Sequence, residues 1–285
     1  MSTSQEQRAL VAGLVLGLID DAAVFPPGNA ATAGAVSAHR DHQTSWYGEA
    51  IGPLLVRSSD VVTLLEASRP GDDLRIGLIA DDGLTGLVES IGLLFDQDER
   101  AALAQVEIPL PPEHDPAAAM RVLLDQLAFS ATAYVEVPRT GYEGALDVLA
   151  EDGAERAKFR TGGATTAAFP SEAELAAFVS ACLERKLGFK LTAGLHRALR
   201  NTSAEGFEHH GFLNVLAAVA AGQAGAREDE LAYLLGLRSA EPLLQRLADV
   251  DVAGVRRSFV SFGCCGVTDP IQDLVALGLI GSDWP

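Results

Sequence analysis

The chain has 285 residues, 48% of them hydrophobic and 21% charged, the composition of an ordinary globular protein that can bury a large core. Lys and Arg number 21 against 39 Asp and Glu, a net charge of −18, and no basic run tracks phosphates; nucleic-acid binding is disfavoured, while a local cationic pocket for a small anion stays open. The one membrane-like stretch, 10–19, is too short to span and follows Glu6 and Arg8, so neither membrane insertion nor a signal peptide is expected. Cys182, Cys264 and Cys265 give no disulfide framework, which points to a reducing cytoplasm.

Length alone permits two small domains or one α/β barrel. A leading helix is expected over 4–17 and a first strand over 19–25, closed by Pro26-Pro27-Gly28. The second strand, 52–57, leads through Ser58-Ser59-Asp60, suited to an N-cap, into a helix over 61–68. A third strand over 74–80 and a helix over 84–95 follow, then a fourth strand over 104–110 and a helix opened by Pro116. The fifth strand is 131–137, with a helix over 141–151, and the sixth is 157–161. Ser171 with Glu174 reads as a capping box for a helix running to 186. The seventh strand is 189–193, a mostly helical insertion occupies about 209–250, the eighth strand is 258–264, and a helix over 270–279 ends the pattern. Eight strands alternating with helices, with no linker between them, predict a single (β/α)8 TIM barrel over 1–285.

Two lysines stand inside apolar strand segments, Lys158 in 157–163 and Lys190 in 188–194, and a charge there must be paired or neutralised. Barrels of this kind carry their chemistry at the carboxyl ends of the strands. That rule collects Asp20 or Asp21, Arg57, Asp81, Glu107, Glu136, Lys158, Arg160, Lys190, His196 and the Cys264-Cys265 pair. Alternation puts Lys158 and Arg160 on one face of the sixth strand, and Lys190 and Thr192 on one face of the seventh. If these faces point inward the amines converge, and Lys158, Arg160, Lys190, His196 and Arg197 could form a cationic pocket. Of the remaining histidines, His39, His42 and His114 are expected at the surface. His209-His210 could join His196 at a zinc or acid–base site, or cap a helix beside a packed Asn214; His196 is preferred because it follows a strand end. The adjacent cysteines are expected to be buried.

Lys158 with Thr161-Gly162-Gly163-Ala164-Thr165, then Gly188-Phe189-Lys190 and Ala193-Gly194-Leu195, is similar to the sixth and seventh strands of deoxyribose-phosphate-type class I aldolases. Ser261 to Gly266 loosely resembles the closing phosphate loop of that family, and the likeness covers about the last 110 residues. The resemblance implies a Schiff-base role for Lys158, with Lys190 lowering its pKa and Gly194 and Gly263 as phosphate-cradling turns. Arg160, where that family has a small residue, His196-Arg197 after the seventh strand, and the first four strands depart from its pattern. Over its whole length the chain also resembles a broad set of uncharacterised bacterial proteins. The shared motifs are Phe25-Pro26-Pro27, Lys158 to Gly163, Phe189 to His196, His210 to Asn214 and Ser261 to Gly263.

The reading that follows is a lyase or isomerase acting on a small anionic or carbonyl-bearing metabolite, with no cofactor and no resident metal. Lys158, Lys190, Glu136 and His196 are its candidate catalytic residues; Arg160, Thr161, Gly194, Gly263 and Glu107 are its candidate substrate-binding residues. A second reading is an enolase-like enzyme that holds Mg²⁺ on Asp81, Glu107 and Glu136, with Lys158 as base. A third is a non-catalytic barrel that binds a metabolite or partner, in which each lysine pairs with Glu107 or Glu136 as a structural network. The surface is compatible with a homo-oligomer.

Overall fold

The computed structural model describes residues 5–95, 100–111, 115–127, 129–282 and 284. Eight parallel strands close into a barrel. In chain order they are β1 (Ile19–Asp21), β2 (Ile51–Arg57), β3 (Leu74–Ile79), β4 (Ala101–Pro109), β5 (Thr132–Glu136), β6 (Arg156–Arg160), β7 (Phe189–Thr192) and β10 (Phe259–Cys264), with β10 seated between β7 and β1. The two strands outside the barrel, β8 (Asn201–Thr202) and β9 (Glu208–His209), form an antiparallel hairpin. The expected (β/α)8 barrel is therefore the fold.

Around the barrel run α1 (Gln5–Val15), α2 (Thr32–Gln43), α3 (Val61–Ala67), α4 (Gly83–Phe95), α5 (Pro116–Leu124), α6 (Glu143–Asp152), α7 (Glu172–Glu184), α8 (Phe212–Gln223), α9 (Glu228–Gly236), α10 (Ala240–Arg246), α11 (Val252–Ser258) and α12 (Thr268–Ala276). Local chemistry sets several of their ends. Ser171 and Glu174 form the expected capping box of α7. Asp115 caps α5, with Pro116 in its first turn. The Ser58–Asp60 segment is a short 3-10 turn, and Asp60 makes no side-chain cap to α3; the serine hydroxyls turn instead to Asp81 and Asp82. The helical insertion before the last strand comprises α8 to α11, and α8 is buried almost all round. Among the described residues no helix is long and apolar enough to cross a membrane.

The first strand is shorter than expected, since the chain turns away after Asp21, and α2, which the sequence pattern did not suggest, fills the space before β2. That helix carries few large apolar residues. Its buried face is Thr32, Ala35, Val36 and His39. His39 is therefore interior and not at the surface: its Nδ1 lies 2.9 Å from Asp21 Oδ2, tying α2 to β1. His42 is half-buried and hydrogen-bonds the Tyr47 hydroxyl, while His114 lies outside the described residues.

The outer face of the sheet explains why both lysines point inward. Successive strand residues alternate faces. Phe159 stacks on Phe178 of α7 with ring centroids 4.4 Å apart, and Phe189 packs edge-on to the same ring at 5.4 Å. Phe189 and Phe259 continue the aromatic layer at 5.6 Å. With these large rings committed to the helix layer, Lys158, Arg160 and Lys190 face the barrel axis.

Candidate functional site

Inside the barrel the charged side chains form one chain of alternating sign. Lys190 Nζ sits 2.5 Å from Asp20 Oδ2 and also contacts Glu107 Oε1. The other Glu107 oxygen, Oε2, is 2.6 Å from Lys158 Nζ, which in turn lies 2.9 Å from Glu136 Oε2. Glu136 ends in a fork with Arg160, Nε to Oε1 at 2.9 Å and Nη2 to Oε2 at 3.3 Å. The sequence Asp20, Lys190, Glu107, Lys158, Glu136, Arg160 thus alternates from negative to positive, and three carboxylates balance three cations.

Sheet register makes this chain possible. Lys158 and Lys190 are directly paired across β6 and β7, and Glu136 is paired with Lys158 across β5 and β6. Each amine thus needs a carboxylate beside it to avoid facing the other amine alone. Glu107 supplies one from across the interior. Asp20 accepts further bonds from Gln105 Nε2 at 3.0 Å and Ser261 Oγ at 2.9 Å, and Lys190 lies 5.1 Å above the Tyr134 ring. Asp20 Oδ1, the remaining oxygen, has no hydrogen-bond partner and rests over Gly52, where a Cβ would come within 2.2 Å of it. Glycine at 52 is what admits the carboxylate.

The two ends of the chain differ in access. Lys190 is 0% exposed and Lys158 3%, whereas the side chain of Glu136 is 18% and that of Arg160 51% exposed. Burial alone would raise the Glu107 carboxyl, yet Lys158 and Lys190 together hold it at about 2. Glu136 is likewise held below its usual range: desolvation works against this, and Lys158 and Arg160 outweigh it. Burial pushes Lys190 toward losing its proton, but Asp20 and Glu107 reverse the sign and raise it above an ordinary lysine. Lys190 is therefore a fixed cation and not an amine of depressed pKa.

The structure sorts the remaining expected residues. Glu107 is fully buried, with one oxygen against each of the two lysines. Thr161 is buried; its amide donates to Thr192 O at 2.8 Å and its hydroxyl donates to Ala193 O, pinning the turn after β7. In that turn Ala193 and Gly194 both have positive φ, 59° and 90°, so Gly194 is in the turn conformation the sequence suggested. Gly263 is not. It lies within β10, paired with Thr192 and Asp20, with its missing side chain directed at Leu55, Thr192 and Ala22.

His196 belongs to a separate cluster. Its Nδ1 is 3.6 Å from both Cys264 Sγ and Asp269 Oδ2, and its Nε2 is 3.7 Å from Cys265 Sγ. Burial holds its pKa low, against the pull of Asp269. Cys264 is fully buried, as expected, and desolvation raises its thiol, whereas Cys265 is only half-buried. His209 contacts Gly194 O at 3.0 Å and packs edge-on to Phe169, whereas His210 contacts Pro170 O at 2.8 Å and neither caps α8. Asn214 is packed as expected, accepting from the Arg200 amide and donating to Leu234 O and Leu237 O.

Asp81, Glu107 and Glu136 do not gather. Asp81 accepts from the hydroxyls of Ser58 and Ser59, and the two glutamates are bound to lysines. Among the described residues no group of three His, Cys, Asp or Glu side chains is arranged to hold a metal ion. A groove of about 790 Å³ outside the barrel, bordered by Tyr233, Gln245 and Arg246, touches no member of the ion chain.

Asp20, Gln105, Tyr134 and Ser261 complete the network; only Asp20 stood among the sequence candidates, and only as one of two. The signal for the others was parity, since Gln105 lies two residues before Glu107 and Ser261 two before Gly263. The fold and the site together define a (β/α)8 barrel with a paired-lysine interior. In comparisons with known proteins, no family model and no curated sequence matches the chain.

Proposed function

We propose that the chain is a lyase of the class I aldolase kind, in which the Lys158 amine adds to the carbonyl of a small anionic metabolite. The observation that carries this reading is the unequal closure of two lysines at one level of the barrel. Lys190 is sealed between Asp20 and Glu107, while the second carboxylate of Lys158 stands at the rim and is shared with exposed Arg160. Glu107 joins the two amines, one oxygen against each, so Lys158 stands between this inner carboxylate and the rim carboxylate Glu136. Glu136, beside Lys158 and partly exposed, is the group that moves protons; His196, held by Cys264, Cys265 and Asp269, is not. The likeness of Lys158 to Thr165 and of Gly188 to Leu195 to aldolase strands supports the same assignment. Three free cysteines suit a reducing compartment such as the cytoplasm.

A non-catalytic barrel is the second reading, and the double pairing of each lysine favours it. Borohydride reduction in the presence of a panel of small aldehydes, ketones and keto acids separates the two. The aldolase reading expects a covalent adduct whose mass identifies the carbonyl compound and which is lost in Lys158→Met. A panel that leaves the folded protein unmodified at this residue supports the structural network instead.

A further inference from the structure

The Arg160–Glu136 fork stands at the exposed end of the ion network, and it engages both oxygens of the carboxylate that pairs with Lys158. Resting on the amine reading above, we propose that Arg160 is an anion-sensing trigger: an anionic group on the substrate takes its guanidinium from Glu136, and Glu136 then accepts the proton of Lys158. The substrate class is accordingly a carbonyl compound that carries its own carboxylate or phosphate.

Three features of the geometry point this way. Of the three cations in the ion network, Arg160 alone is about half in solvent while Lys158 and Lys190 are buried, so it can exchange partners without desolvating a second charge. Guanidinium forks bind carboxylates and phosphates in the same bidentate manner, so a substrate anion competes for the groups that now hold Glu136. Finally, Glu136 faces two cations, Lys158 and Arg160, and losing one of them raises its proton affinity. Glu107 cannot take this part, since its two lysines are both interior.

The steps balance. Lys158–NH₃⁺ gives a proton to the Glu136 carboxylate. The free amine forms the N–C bond to the substrate carbonyl carbon, and the carbonyl oxygen becomes the hydroxyl of a carbinolamine by taking the second amine proton. Glu136 returns its proton as the C–O bond breaks, water leaves, and an iminium remains on Lys158. A neutral carbonyl compound lacks the anion and reacts slowly.

The test separates anion from carbonyl. Propanal is trapped on the full chain with cyanoborohydride, with and without inorganic phosphate or acetate, at constant ionic strength set by chloride, and Lys158 labelling is followed by peptide mass. We expect phosphate or acetate to raise the trapping rate saturably, on the order of tenfold, and whichever acts at lower concentration names the anionic group. Arg160→Gln should trap propanal without any added anion at about the stimulated rate and should no longer respond; the exposed position keeps the variant folded, as its melting curve would verify. Equal wild-type rates with and without either anion, or stimulation that survives in Arg160→Gln, would overturn the trigger while leaving the amine reading intact. Absence of a Lys158 adduct in every arm would overturn the amine reading itself.

Discussion

Lys190 and Lys158 are the same residue type at the same level of adjacent strands, both buried and each held by two carboxylates, and they differ in how open one of those carboxylates is. Around Lys190 everything is interior: Asp20, Glu107, Gln105, Ser261 and the Tyr134 ring. Around Lys158 the network opens toward solvent through Glu136 and Arg160. The two amines share Glu107 and are set apart by their second carboxylate. For Lys190 that partner, Asp20, is buried, whereas for Lys158 it is Glu136, partly exposed beside Arg160.

Lys190→Met leaves Asp20 and Glu107 facing each other without their shared cation, and should destabilise the fold by about 3–5 kcal/mol, read as a shift of the urea midpoint. Lys158→Met should cost distinctly less, because Glu107 keeps Lys190 and Glu136 keeps Arg160. Equal losses would mean that the two sites are energetically alike. Gly52→Ala forces a methyl against Asp20 Oδ1 and should remove about 1–3 kcal/mol, with the loss largely absent when Asp20 is already Asn.

Acid probes the deep end. Glu107 titrates at about 2 in the folded chain against an ordinary 4.5, so the unfolded chain binds the proton first as pH falls. Its stabilising contribution is complete above about pH 4.5 and is lost on the way down to about 2, and Glu107→Gln should flatten the stability profile in that window. Lys190 has the opposite sign: its raised pKa stabilises fully below its ordinary 10.5, and that contribution fades only at higher pH. The smallest stability effect is expected at the rim. Arg160→Gln, at a side chain half in water, should change stability by less than about 1 kcal/mol.

Much of this was legible beforehand, and for identifiable reasons. Strands such as Leu74–Ile79 and Phe189–Thr192 are apolar runs between turn residues, and the Ser171–Glu174 box announces α7. The two lysines announced themselves as charges among phenylalanines. What was hidden depends on long-range packing. Helix α2 buries Ala, Val, Thr and His in place of large apolar residues, so its periodicity is faint, and His39 looked solvent-bound. In Asp20-Asp21 one carboxylate turns inward to Lys190 and the other outward to His39, a choice that strand alternation demands but whose phase only the closed barrel sets. Gly263 resembled a turn residue through its neighbours, yet pairing with β7 and β1 keeps it in the strand.

The central claim is that these two lysines are chemically unequal. Its most direct measurement is the ratio of Lys158 to Lys190 labelling after cyanoborohydride trapping of a small keto acid on the native protein, read by peptide mass. Adduct is expected on Lys158 and none on Lys190. Labelling of Lys190 equal to or above that of Lys158 in the folded protein would contradict it.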